Sequence, residues 1–389
     1  MLPLFWLGVL LWLSASYDDD TIDYTVPVEY PEPSFIWQRP QGVSYPTILT
    51  IEWSPDGEWL AIASAELEDF IRPINTQLHI YSPNKPDEPL THFQDEPQTI
   101  TSLAWRSSDQ ALFAGYVAGD ERGFVHAWDV VTGDRVLSAP ESGSGYRVAI
   151  NPVDERVALT YGEQLMIFNQ SAVESAQTNA QETDSDQPIR DFFAHSFQAG
   201  HQVSTSQLLW TVDGEYLITT RHPEALRSIS RWSPDRPDEG VMVFDDSEKF
   251  VGVGFVDLSL SPDGCWMVGT INRYTRQWMA GVDYGDIWVW SMEDGKRVYR
   301  WEARDDIGVT GVTWSPDSRV LALGDRHGNL DLFAVDQNWG QFEHWYFGAD
   351  IQSLAWSSQN QLAVAFHYGS VMIFDMDGLD ETEWDVPVG

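Results

Sequence analysis

The chain carries a single cysteine, Cys265, in 389 residues. One thiol excludes an intrachain disulfide, a cysteine-based zinc site and a CxxC redox pair. Cys265 follows Gly264 at the start of an expected strand, so a buried, inert thiol is the expectation. Cations are scarce as well: 22 Lys and Arg stand against 60 Asp and Glu, a formal net charge of -38. Only Lys85, Lys249 and Lys296 are lysines. Phosphate binding needs local cationic charge, so a polyanion of this kind is not expected to hold nucleic acid or an anionic membrane surface. High net charge keeps a protein dispersed, and an acid-rich, lysine-poor balance is also that of a salt-adapted proteome, so charge by itself assigns no function.

Long apolar runs are missing except at the start, MLPLFWLGVLLWLSAS, followed by Tyr17 and three aspartates. Twelve nearly all-apolar residues are short for a stable bilayer span, and Ser14 and Ser16 sit in the minus-three and minus-one relation of a signal cleavage site. Residues 1–16 are therefore expected to be a signal peptide, with a mature chain beginning near Tyr17 outside the cytoplasm, secreted or periplasmic. An uncleaved short anchor is the competing reading. No cysteine follows the run, which excludes a bacterial lipoprotein anchor.

Catalytic signatures are missing too. There is no P-loop, GxSxG, HExxH or EF-hand pattern, and none of the nine histidines is spaced as a metal pair on one element. His79 and His126 fall inside expected strands and read as packed core histidines. Acid pairs such as Asp245-Asp246 and Asp305-Asp306 fall in expected loops with no defined partner. No cofactor, no metal and no catalytic residue is expected.

Tryptophan, by contrast, is abundant, with 19 copies, and much of it is periodic. An apolar strand ends in Trp, a Ser-Pro-Asp-Gly turn or a relic of it follows, and a second apolar strand begins. The seven copies are Trp53-Ser-Pro-Asp-Gly57, Trp105-Arg-Ser-Ser-Asp109, Ile150-Asn-Pro-Val-Asp154, Trp210-Thr-Val-Asp-Gly214, Leu260-Ser-Pro-Asp-Gly264, Trp314-Ser-Pro-Asp-Ser318 and Trp356-Ser-Ser-Gln-Asn360. They are spaced 52, 45, 60, 50, 54 and 42 residues apart. A four-stranded propeller blade takes about 40–45 residues, and the excess is assigned to loops. Proline presets φ, Asp bonds nearby backbone and Gly accepts a positive φ, so the motif is a turn between antiparallel strands. A third strand in most units ends on an aromatic, as in Phe124-Val-His-Ala-Trp128 and Asn329-Leu-Asp-Leu-Phe333, and a more polar fourth strand closes the unit.

Trp-Ser-Pro-Asp-Gly, then an aromatic-Asp pair (Trp128-Asp129, Phe374-Asp375), then Thr132-Gly133, resembles the WD40 repeat over roughly residues 34 to 378. The resemblance implies an all-β, seven-bladed β-propeller of four-stranded antiparallel blades. It also implies a scaffold that binds a protein or peptide partner. The repeats are degenerate: Gly-His occurs only at Gly200-His201, and Arg122, Tyr284, His327 and Tyr368 stand where the family often has a turn Asp. A hydrogen-bonded tetrad is therefore expected to be mostly absent. Two units, Asp129-Val-Val-Thr-Gly-Asp-Arg-Val136 and Ser291–Trp301, are similar to quinoprotein-type propellers, including outer-membrane assembly lipoproteins.

The resulting layout is a signal at 1–16, an acidic linker at 17–33 and a propeller at 34–389 with an aromatic-free, flexible insertion at 171–189. Ser34-Phe-Ile-Trp-Gln38 is expected to pair with the last blade and close the ring, with Glu381–Val386 as the competing segment. Trp232-Ser-Pro-Asp235 looks like an eighth anchor, but no apolar strand follows it.

The scarce cations gather on expected second-to-third-strand turns, which share one face. They are Arg221 and His222, then Arg273, Arg276 and Trp278 of a long insertion, then Arg326 and His327, with His367 and Tyr368 on the last turn. This arc is the candidate partner-binding site, against the alternative that these are ordinary turn residues. A hydrolase or lyase acting at the central funnel, or a small-molecule or glycan binder, are the other readings. The funnel reading requires charged residues to converge on the axis from different blades, and the first strands read as mainly apolar.

Overall fold

The computed structural model describes residues 30–38, 46–68, 72–83, 91–94, 98–107, 111–118, 123–138, 147–161, 164–168, 207–220, 229–236, 242–244, 253–273, 284–302 and 308–377. The signal, most of the linker, the 171–189 insertion and the competing tail segment lie outside these residues. Among the described residues every regular element is a strand, and no helix is long and apolar enough to cross a membrane.

The strands form seven antiparallel sheets, numbered here in chain order. Six have four strands; the third has three among the described residues, so the expectation of four-stranded units holds for six. The first strands are Pro46–Trp53, Gln98–Trp105, Val148–Ile150, Leu208–Trp210, Val253–Leu260, Val309–Trp314 and Ile351–Trp356. Each ends on an anchor residue read from the sequence. In the seventh sheet the outer place is taken by Phe35–Gln38, which pairs antiparallel with Ser370–Asp375 in the register Phe35↔Ile373, Trp37↔Val371. The chain's beginning thus completes its last sheet, as expected, and Ser34 adds a backbone bond to Ile373. Packing reaches back into the stretch read as linker: Tyr30 stacks on Phe347 at 4.6 Å.

The core is not one central mass. It is a set of clusters, each shared by consecutive sheets. Leu78 and Ile80 of sheet one pack with Leu112 and Phe113 of sheet two and Val148 and Leu159 of sheet three. Leu165 meets Trp210 and Leu217 between sheets three and four; Ile218 meets Met267 and Trp288 between four and five. The series continues through Val289 with Trp314, then Leu332 with Leu362, and returns to the start where Ala355 and Val371 pack on Ile51 and Leu60. The sheets therefore form a closed ring, a β-propeller, which leaves no sheet interior exposed.

The anchor turn is built the same way wherever its residues allow. The Ser54 hydroxyl donates to Asp56 Oδ1 (2.5 Å) and accepts from the Trp59 amide (2.9 Å), while Asp56 Oδ1 accepts from the Glu58 amide. Ser261-Asp263 and Ser315-Asp317 repeat these bonds, and Thr211-Asp213 does so with threonine. In sheet three Asn151 replaces Ser, and its amide Nδ2 reaches across to the Gly214 carbonyl at 2.8 Å. In sheet two Arg106 takes the serine's place, fully buried over the Phe113 ring.

A second repeated contact staples neighbouring sheets. The anchor indole N–H donates to the backbone carbonyl one residue before the preceding sheet's anchor: Trp53 to Ala355 (3.1 Å), Trp105 to Glu52 (3.2 Å) and Trp314 to Ser259 (3.4 Å). A buried indole needs such an acceptor. Trp210 Nε1 is buried without one, and Trp356 uses its own Asn360 instead.

Three sequence expectations are settled by local geometry. Trp232-Ser-Pro-Asp235 is not an anchor: Asp235 accepts a bidentate bond from Arg156 of sheet three, at 2.8 Å for both contacts. His79 and His126 are buried, against Trp37 and Trp128. Cys265 departs from expectation and is exposed, because the residue after the turn glycine points outward while the Trp266 amide turns in to Ser261. Shielding by the turn and the neighbouring Asp263 charge push its thiol up, which keeps it protonated and poorly reactive.

Two turn glycines with the same backbone differ in surroundings. Gly214 and Gly264 have φ of 70° and 71°. A Cβ at Gly264 would meet Val212 at 3.8 Å, whereas one at Gly214 would collide with the Asn151 side chain. Gly264→Ala should therefore cost about 1–2 kcal/mol from the left-handed backbone alone. Gly214→Ala should cost more, because the inter-sheet Asn151 bond is disturbed as well. Equal urea midpoints for the two variants would refute this. Trp105→Phe keeps the ring but leaves the Glu52 carbonyl unpaired, and urea unfolding should show a loss of about 1–3 kcal/mol.

Candidate functional site

The seven first strands surround a cavity of ≈ 880 Å³ on the ring axis. It is lined by all seven strands and by anchor-turn residues such as Pro55, Pro152, Pro262 and Pro316. Counting back from each anchor, the second residue is apolar throughout: Ile51, Leu103, Val148, Leu208, Leu258, Val312 and Leu354. It packs into the inter-sheet clusters or lines the cavity. The third residue back is Thr50, Ser102, Arg147, Gln207, Asp257, Gly311 and Ser353, polar in every sheet but one.

That polar ring has a structural cause. Its side chains cap amides of the next sheet's first strand. Ser353 accepts from the Ile51 amide (3.4 Å), Ser102 from Val148 (3.1 Å) and Asp257 Oδ2 from Val312 (3.3 Å). These amides would otherwise face the lumen unpaired. Arg147 donates to the Thr101 carbonyl of the sheet before it.

Three charged residues thus reach the lumen from sheets one, three and five: Glu52, Arg147 and Asp257. Burial, opposed by bonds from the Val312 and Leu258 amides and by the Arg147 charge, pushes the Asp257 carboxyl up to about 7. Burial and then the Asp257 charge push Glu52 up to about 8. Burial lowers Arg147, which the Asp257 charge opposes. Glu52 is exposed to the lumen, and the surrounding ring of first strands supplies the burial that raises it. Its carboxylate has no hydrogen-bond or ion-pair partner among the described residues. The sequence reading had the first strands as mainly apolar and missed this convergence. The signal was present once the seven anchors are aligned, in the third position before each anchor and in Glu52 directly before Trp53.

The turn face lies at the opposite end of the first strands. Arg326 and His327 are exposed on the tight turn after Val320–Asp325. Asp325 organises that turn by accepting from the His327 and Asn329 amides and from the Asn329 side chain. A turn aspartate is thus present two residues before His327, where the expectation had none. His367 is half-buried, its Nδ1 3.2 Å from Thr47 Oγ1 of sheet one, so it latches the last sheet to the first. Burial and then the Arg326 charge lower its pKa. Tyr368 stands edge-on to it at 5.5 Å. Arg326, His327, His367 and Tyr368 are therefore brought to one face, with His367 committed to packing. Arg273 is the last residue of its strand and pairs with Tyr284 at the mouth of the long insertion. Arg221, His222, Arg276 and Trp278 lie outside the described residues. Among the described residues no group of three His, Cys, Asp or Glu could share a metal ion.

A family model for the WD40 domain of anaphase-promoting complex subunit 4 matches residues 280–359, from the third strand of sheet five to the anchor turn of sheet seven. The chain is a WD40-repeat-like β-propeller. A comparison with curated proteins finds no match. In this WD40-like ring the matched stretch includes the Trp314-Ser-Pro-Asp anchor, its staple to Ser259 and the aromatic strand end Phe333.

The raised Glu52 has a consequence for stability. The folded state holds its proton up to about pH 8, whereas the unfolded chain releases it near the ordinary value of 4.5. Stability is unaffected below that lower value and falls as pH rises toward the upper one. Glu52→Gln should therefore leave Tm unchanged at pH 4.5 and raise it relative to the parent at pH 8.5. An equal Tm difference at both pH values would refute the assignment.

Proposed function

We propose that this chain is a seven-bladed, non-catalytic scaffold that binds a protein or peptide partner outside the cytoplasm. Binding runs through the second-to-third-strand turns of sheets four to seven. The WD40-like fold supports the class of function, since propellers of this kind are generally scaffolds. The observation that carries the choice of face is the pair Arg326 and His327, exposed on a turn rigidified by Asp325, in a chain of net charge -38 with few cations to spend. Arginine with a flanking aromatic is the composition that interface hot spots favour, and in the sequence Arg276 and Trp278 follow Arg273, the last residue of the second strand of sheet five. The short apolar run at the N-terminus and the serines after it support export.

The charged lumen favours a second reading, a ligand site in the funnel, and that site is at the other end of the first strands. It bears on ligand binding, since Glu52, Arg147 and Asp257 all line that lumen.

The partner face is tested by affinity. With a partner isolated on the parent protein from native extract, Arg326→Ala, Arg276→Ala and Trp278→Ala should each weaken binding by about 1–3 kcal/mol with little change in Tm. A triple variant that binds like the parent would remove the proposal.

A further inference from the structure

Among the described residues the large apolar side chains left exposed are five valines, Val131, Val153, Val212, Val243 and Val298, between 41% and 77% open to solvent. All five belong to the consecutive sheets two to five, and none to sheets six, seven or one. They also share one end of the ring. Val153 and Val212 stand on anchor turns, Val131 on a turn between third and fourth strands, and Val243 and Val298 on the fourth strands that leave such turns. In an antiparallel meander those turns lie at the same end. The turns do not ask for valine. Asp129 Oδ1 accepts from the Val131 amide and Asn151 Oδ1 from the Val153 amide, bonds that the backbone of any residue but proline can make. Sheet five has Glu293 where sheet two has Val131, and sheet seven has Ser358 where sheet four has Val212.

The anchor turns of sheets three to five touch one another. Asn151 reaches the Gly214 carbonyl, and a Cβ at Gly264 would stand 3.8 Å from Val212. Pro152, Val212 and Pro262 thus form an apolar rim at the mouth of the lumen, with Val153 next to Pro152 in the chain. Cys265 is exposed one residue beyond Gly264. An exposed apolar patch with a polar surround marks a protein contact, and the surround specifies the partner. Asp154, Asp213, Glu215, Asp235 and Asp263 are exposed here, and the cations beside them are Arg156 and Arg236. Arg156 is held by Asp154 and Asp235, and Arg236 by Glu215. Asp213 and Asp263 each give one oxygen to their own turn, and neither carries a basic side chain among the described residues.

We propose that the anchor-turn rim of sheets three to five docks a basic, apolar segment of another protein. Its apolar side chains lie on Val153, Val212 and the flanking prolines, and its Arg or Lys side chains stand beside Asp213 and Asp263. A second copy of this chain does not suit the rim, because two chains of net charge -38 repel and the rim is itself acidic. The site is at the opposite end of the ring from Arg326 and His327 and does not depend on that partner face.

The probe is a capped hexapeptide of alternating arginine and leucine, titrated calorimetrically into the full chain. Its controls are an arginine–serine peptide of equal charge and a glutamate–leucine peptide of equal apolar content. The arginine–leucine peptide should bind at one site, about tenfold more tightly than either control. Val153→Ser and Val212→Ser should each weaken it about tenfold with Tm unchanged, since Ser358 already occupies the Val212 position in sheet seven. Asp263→Asn keeps the acceptor oxygen of the turn, removes the charge, and should weaken binding about threefold. Glu58→Gln, on the exposed anchor turn of sheet one, should change nothing. Cys265 reports the location: saturating peptide should slow its alkylation by iodoacetamide, read by intact mass, because the thiol lies beside the rim. Equal binding of the arginine–serine peptide would reduce the site to general charge attraction and overturn the proposal. So would wild-type affinity in the two valine variants, or an alkylation rate that the peptide leaves unchanged. A concentration-dependent dimer of the full chain that Val212→Ser abolishes would give the rim to a second copy and overturn it as well.

Discussion

The seam between consecutive sheets is the constraint on which this molecule depends. No single sheet has a core; each gains one only against its neighbours, in clusters such as Leu165 with Trp210 or Val289 with Trp314. The indole-to-carbonyl staple fixes the height at which the sheets meet, from Trp53 to Ala355, Trp105 to Glu52 and Trp314 to Ser259. The anchor turn then fixes the direction of the second strand through one hydroxyl and one carboxylate. The ring closes because Phe35–Gln38 takes the outer place beside Ser370–Asp375, so the two ends of the chain hold each other.

Lumen chemistry grows out of the same seam. First strands have one edge bonded to the second strand and the other turned toward the axis, where amides lack a sheet partner. In sheets two, five and seven the side chain three residues before the anchor answers that need of the next sheet, which is why Ser102, Asp257 and Ser353 are polar. A structural requirement for any polar group at this height leaves its identity open. Sheets three and five use that freedom for a guanidinium and a carboxylate. Glu52 answers no such need, which distinguishes it from the ring above it.

Much of the architecture was legible because turn chemistry is local. Ser-Pro-Asp-Gly specifies its own hydrogen bonds within six residues, so seven copies located seven first strands, and Ser34–Gln38 was recognisable as an outer strand by likeness to others. Cys265 was misread because burial was inferred from strand position alone; the residue after the anchor-turn glycine points out, as Glu58 and Glu215 do in sheets one and four. The turn aspartate of sheet six was missed because Asp325 lies at the end of the second strand, two residues before the position where it was sought. The partner face was legible only as a list of cations on turns. The structure brings Arg326 within electrostatic reach of His367 and gives the histidine a packing duty with Thr47, neither of which spacing could show.

The sequence by itself determined the periodic elements: strand, anchor turn, strand, aromatic end, repeated with the spacing of a propeller. These depend on φ preferences and on bonds between residues close in the chain. Only the tertiary structure decided what stands on the axis. Glu52, Arg147 and Asp257 are separated by about a hundred residues at each step. They share one lumen because ring closure brings the ends of alternate first strands around a common axis, and that closure is enforced by packing between sheets rather than by anything encoded within one of them.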